Sequence, residues 1–141
     1  MNNSIPVWFK ILVVFLIIWN LIGILNFIGQ ITISEQDLLA LPIDQQNLIN
    51  NRPFYALAAF GIAVVSGFLG SLTLLLKKKI SAILLQISLF AVIVDFCYAT
   101  FVFEAQNSPE SFEIILTISI IFLAILLVYL ANFAKKKGWL C

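Results

Sequence analysis

Four long apolar runs dominate this chain, and they restrict its folds more than any other feature. They cover residues 7–28, 54–76, 80–103 and 112–134. A helix needs about 20 apolar residues to cross the hydrocarbon core of a bilayer, and each run is long enough. In lipid, backbone amides and carbonyls must pair within the structure, so only helices and closed barrels span membranes. Barrel strands read as alternating segments of roughly ten residues. These runs are continuous, which selects helices. Composition agrees: 62% of the 141 residues are hydrophobic and 11% are charged, against about 45–50% and about 25% in soluble domains. Mean hydropathy is +1.10. The expected fold is all-α: one domain, residues 1–141, forming an integral membrane four-helix bundle with antiparallel up-down connections.

Charge distribution orients that bundle. Lys10 flanks the first run, Lys77, Lys78 and Lys79 join the second to the third, and Lys135, Lys136 and Lys137 follow the fourth. With four crossings all of them fall on one side. The other side carries Arg52 with Glu35, Asp37, Asp44, Glu104, Glu110 and Glu113. An excess of Lys and Arg in short loops marks the cytoplasmic side, so both termini are expected inside. Trp8, Tyr129 and Trp139 fall near the inner edge and Tyr55 near the outer one, where amphipathic rings sit best. The first run exceeds a signal peptide's apolar core, and no small-x-small site follows Phe27, so it reads as a span. The lysine triplets read as topology signals, not as nucleic-acid sites. The bilayer is the expected surrounding, and no nucleic-acid partner is expected.

The outer loop, residues 29–53, is the one sizeable connection. Ser34 with Asp37 three residues later resembles a capping pattern, predicting a short helix over 35–40. Pro42 should end it and open a second over 43–50. Leu38, Leu39, Leu41, Ile43, Leu48 and Ile49 give this loop an apolar side. It reads as an interfacial cap over the bundle, with a lid or docking surface as the alternative. The second outer loop, "EAQNSPES", reads as a plain hairpin connection.

Catalytic chemistry has little to work with. Histidine is absent, Met1 is the sole methionine, and the two cysteines, Cys97 and Cys141, are not spaced as a metal pair. No nucleophile–base pair and no glycine-rich phosphate loop stands out. The "GWLC" ending is not a prenylation box, because its cysteine is last. Neither enzyme activity nor a metal or other cofactor is expected.

The helix faces carry more information. In the second span Ala59, Ala63, Gly67 and Ser71 recur every four residues. Small-residue stripes let helix backbones approach closely in lipid, so this one reads as an intramolecular packing seam, with homodimerisation as the alternative. In the third span Ser81, Ser88 and Asp95 are seven apart, which brings them within about 20° of one line. Ala91 and Ala99 lie near the same stripe, so this face should point inward. Asp95 is the lone carboxylate within that run, about 13 Å below Glu104 by helical rise. At that depth the other spans offer Asn20 and Asn26, Thr117 and Ser119, and space at Gly61; Tyr98 lies one turn above. The expected site is a polar cluster of Asp95, Asn20, Asn26, Tyr98, Thr117 and Ser119 in the outer half. Arg52 faces it across a marginal gap. An ionised Asp at mid-bilayer costs about 2.5–3.5 kcal/mol. Asp95 is therefore expected to be neutral, or paired with Arg52 through water. It reads either as a polar contact between helices or as a proton or ligand site.

Trp19-Asn20 with Gly23, Arg52-Pro53 closing the outer loop, Ala63/Gly67/Gly70, Lys77-Lys78-Lys79 and Lys137-Gly138-Trp139-Leu140 form an ordered set. In that set the chain resembles a family of small, uncharacterised bacterial four-span inner-membrane proteins, sometimes labelled "sugar transporter" by automatic naming. The resemblance implies a bacterial cytoplasmic-membrane location and brings no substrate or catalytic residue. Two roles follow as expectations. One is an accessory or structural subunit, as a homo-oligomer or within a larger membrane complex. The other is a small transporter or proton-coupled carrier working through Asp95. No substrate is indicated.

Overall fold

The computed structural model describes residues 4–103 and 111–141. The chain is all-helical, with 86% helix and no strand among the described residues. The element order is α1 (Val7–Thr32), α2 (Glu35–Ala40), α3 (Ile43–Asn51), α4 (Phe54–Leu75), α5 (Ile80–Tyr98) continuing into a π-helical turn (Ala99–Phe103), and α6 (Ser111–Lys136). The four long helices are apolar enough to cross a bilayer, which makes this a small multi-pass membrane protein. Two ends differ from the sequence reading. The first helix continues to Thr32, because no breaker intervenes before Ile33 turns extended. The third leaves α geometry after Tyr98 and widens into the π turn. The "EAQNSPES" connection, apart from Ser111, lies outside the described residues.

The loop helices form where capping chemistry places them. Ser34 caps α2, its hydroxyl accepting from the Asp37 backbone N–H at 3.1 Å. The same hydroxyl donates to the Asp37 carboxylate at 2.6 Å. Pro42 opens α3. Gln46 locks the break between the two helices by donating to the carbonyls of Leu41 (2.8 Å) and Leu39 (3.3 Å). No residue of α2 or α3 is buried.

In the bundle α4 packs closely with α5 and also with α1, and α5 packs with α6; the backbones of α1 and α6 hardly approach. The small stripe of α4 makes the close approaches possible. Ala59, Ala63, Gly67 and Ser71 are all buried. A Cβ on Gly23 would lie 2.8 Å from Val64 Cγ1, and one on Gly70 would lie 2.7 Å from Leu85 Cδ2. Both are closer than carbon atoms approach, so only glycine permits these contacts. Ser88 of α5 crosses to α4 and donates to the Ala63 carbonyl at 2.7 Å.

A continuous core occupies the lysine end. Ile5, Phe9, Val13 and Leu16 of the N-terminal segment and α1 meet Leu74, Leu85, Leu127 and Leu130 there. Phe9 packs edge-on against Trp139 (5.3 Å), and Trp139 against Phe133 (5.5 Å). Those contacts fold the tail after α6 back under the bundle. Gly138, at φ +69°, makes that reversal. Its N–H reaches the Lys135 carbonyl and that of Trp139 the Ala134 carbonyl, a Schellman ending. Lys77 ends α4 in the same way at φ +62°. Cys141 then pairs with this turn: its N–H donates to the Lys77 carbonyl, and its carbonyl accepts from Lys79 N–H.

Candidate functional site

At the opposite end the helices part around a cavity of about 490 Å³. Its upper wall is built on Arg52. This residue leaves α3 in extended conformation, immediately before the proline that opens α4. Its side chain then runs inward along α4, and the guanidinium stacks over the Phe60 ring, 5.0 Å from its centre. Phe60 stands two turns into α4, but its ring leans back toward the N-terminus of the helix, which brings it within reach of the extended Arg52 side chain. One terminal nitrogen donates to the Gln30 side-chain carbonyl at 3.0 Å, and the other binds Oδ1 of Asp95 directly. Arg52 is 10% exposed and Asp95 25%. Removing charges from water is costly unless they pair and form hydrogen bonds; here both terminal nitrogens of Arg52 are bonded, while its buried Nε has no partner. Arg52 meets Asp95 directly, in place of the water-bridged contact expected. The gap judged marginal by depth closes because the guanidinium is drawn down onto an aromatic ring.

Phe60 is itself braced. Phe27 packs edge-on against it at 5.9 Å. A Cβ on Gly61 would lie 2.7 Å from the Phe27 ring. The space expected beside Asp95 at Gly61 is thus filled by Phe27, which supports the platform under Arg52.

Asn20, Asn26, Asp95, Tyr98 and Thr117 all line the cavity. Asn20 is buried, and its amide donates back to the Leu16 carbonyl at 2.8 Å. Its oxygen sits against Gly67, where any Cβ would intrude on it. Tyr98 donates to the Asn51 carbonyl at 3.3 Å and packs edge-on against Tyr55, tying the end of α3 to α5. Ser119 departs from the expected cluster. It does not line the cavity, and its hydroxyl donates to the Ile115 carbonyl of its own helix at 2.8 Å. Residues 117 and 119 are about 200° apart on a helix, so both could not face one site. Gln30 and Trp19 belong to the site but not to the expected cluster. Gln30 was legible in principle, standing one helical turn beyond Asn26 on the same face.

The remaining lining is apolar, with Ile22 from α1, Val92 from α5 and Ile120 from α6. Because α1 and α6 hardly approach, the cavity lies beside the seam between them. Among the described residues no group of His, Cys, Asp and Glu is arranged to hold a metal ion. The arrangement is suited to holding a small molecule with an apolar body and a polar end, in the volume range of small-molecule sites.

No protein-family model matches this chain, and neither the curated proteins nor the solved structures show a significant similarity to it. The site is therefore read from its own geometry.

Proposed function

We propose that this small multi-pass membrane protein binds an amphipathic small molecule in the cavity between α1 and α6, as a carrier-type protein of the cytoplasmic membrane. Both termini face the cytoplasm in this reading, supported by the lysines flanking the spans, and the up-down topology follows from four crossings. The observation that supports it best is the roomy cavity walled by the Arg52–Asp95 pair. Ionisable groups inside a membrane bundle are costly and mark functional sites by default. A purely structural pair needs no cavity of that volume beside it. The accessory-subunit reading draws on the tight spans, the apolar outer loop and the small-residue stripe of α4, and α1 and α5 already occupy that stripe through Asn20 and Ser88. The carrier-type reading is preferred for that reason.

Trp19 reports on the site directly. In phosphatidylcholine vesicles, a bromine-tailed alkyl amphiphile is expected to quench Trp19 fluorescence saturably. The saturable component should vanish in Trp19→Phe and in the cavity-filling Ala124→Phe. Quenching that rises linearly with amphiphile, equal in native protein and Ala124→Phe, would count against a ligand site.

A further inference from the structure

The charge balance of the cavity restricts the head group of its ligand. Arg52 contributes one positive charge and Asp95 one negative charge, and among the described residues no other Lys, Arg, Asp or Glu lines the cavity. Their pairing is direct, so the described lining is balanced in charge. An anionic head placed beside the pair would leave a net negative charge in a low-dielectric space, and a cationic head a net positive one. Isolated charge in such surroundings is strongly disfavoured. An uncharged head carrying hydroxyl or carbonyl groups preserves the balance. The site also offers matching partners. Arg52 occupies only Oδ1 of the Asp95 carboxylate, and Asp95 is a quarter exposed, so a hydroxyl can donate to the side chain. Asn20 and Asn26 of α1 also line the cavity. The rest of the lining is largely apolar, aliphatic and aromatic, which suits a hydrocarbon tail entering between α1 and α6.

We infer that the cavity selects uncharged, hydroxyl-bearing amphiphiles over charged ones, and that the Arg52–Asp95 pair is the selector. This rests on the ligand-site reading above. The ion pair acts as an electrostatic filter: it rejects either sign of charge because satisfying one member would strand the other. Selectivity built this way depends on both residues, and removing either should reverse its sign in a foreseeable direction.

The test uses the full chain in phosphatidylcholine vesicles with three bromine-tailed probes sharing one chain: undecanol, undecyl sulfonate and undecyl trimethylammonium. Binding is read as the saturable, Trp19-dependent component of quenching, at matched mole fractions of probe in the bilayer. The native protein is expected to bind the alcohol at least about tenfold more tightly than either charged probe, the order set by the cost of an unpaired buried charge. Asp95→Asn frees the Arg52 cation, and the sulfonate should then bind best. Arg52→Gln frees the Asp95 carboxylate, and the trimethylammonium probe should then bind best. The double variant Arg52→Gln/Asp95→Asn has no net charge and should return to the alcohol, which separates loss of selectivity from loss of fold. If no probe quenches saturably in native protein, the ligand site itself is refuted. If quenching saturates but a charged probe is preferred, or the order is unchanged in both single variants, the filter is refuted while the ligand site stands.

Discussion

At the lysine end, Phe9, Phe133 and Trp139 fill the space between α1 and the end of α6. At the other end, Trp19 of α1 and Ile120 of α6 line a cavity instead. The same pair of helices borders both regions, so the difference lies in side chains and not in helix type. In lipid, helices gain little from hiding apolar surface, and association rests on close packing and on bonds between helices. The lysine end obtains close packing from three rings in edge contact and from a tail that folds back under them. At the cavity end the aromatic pairs Phe27–Phe60 and Tyr55–Tyr98 lie elsewhere, and no such wedge is seen between α1 and α6 among the described residues. That end is held instead by polar contacts: Arg52 to Gln30 and Asp95, and Tyr98 to the end of α3. One region is built for cohesion, and the other keeps room at the cost of burying an ion pair.

The largest effect should come from removing the wedge. Phe9, at 1% exposure, sits at its centre, and Phe9→Ala is expected to cost about 3–4 kcal/mol of unfolding free energy through lost contacts and an unfilled void. Titration with a denaturing detergent in bicelles measures it. A loss under about 1 kcal/mol would mean that the two ends are packed alike. Charge removal comes next. Arg52→Gln strands a carboxylate, and about 2 kcal/mol should be lost, less than for a sealed pair because Asp95 is partly exposed. The double variant Arg52→Gln/Asp95→Asn should recover most of that loss. If the losses simply add, the pair is not coupled. A smaller effect is expected where the two regions meet. Gly67→Ala should push against the Asn20 oxygen and cost about 1–2 kcal/mol. Asn20→Ala in the same chain should relieve most of it, leaving the tighter contact with Ser88 Oγ at 3.0 Å; an unrelieved loss would place the crowding elsewhere.

Much of this arrangement can be read from the chain. Helix placement follows from apolar length, and the breaks at Ser34 and Pro42 follow from local capping chemistry. The seven-residue spacing of Ser81 and Ser88 put both on an inward face, and both are buried. What depends on long side chains was not legible. Depth counting fixes where a Cα sits but not where an arginine head group ends, and the Arg52 side chain reaches inward to meet Asp95. Nor does a glycine disclose whether its space stays open. At Gly61 it admits the Phe27 ring, whereas at Gly67 it admits the Asn20 amide. Ser119 shows a third limit: equal depth does not imply a shared face.

Water access separates the two regions most directly. Val92 lines the cavity and Val13 lies in the core with no exposure, and valine-to-cysteine changes little in size. In a background with Cys97 and Cys141 replaced by serine, Val92→Cys and Val13→Cys should be treated with a small methanethiosulfonate in vesicles. Modification at position 92, with position 13 protected until the protein is unfolded, is the predicted result. Equal protection at both positions would mean that no solvated cavity exists beside Arg52 and Asp95, and would contradict the account.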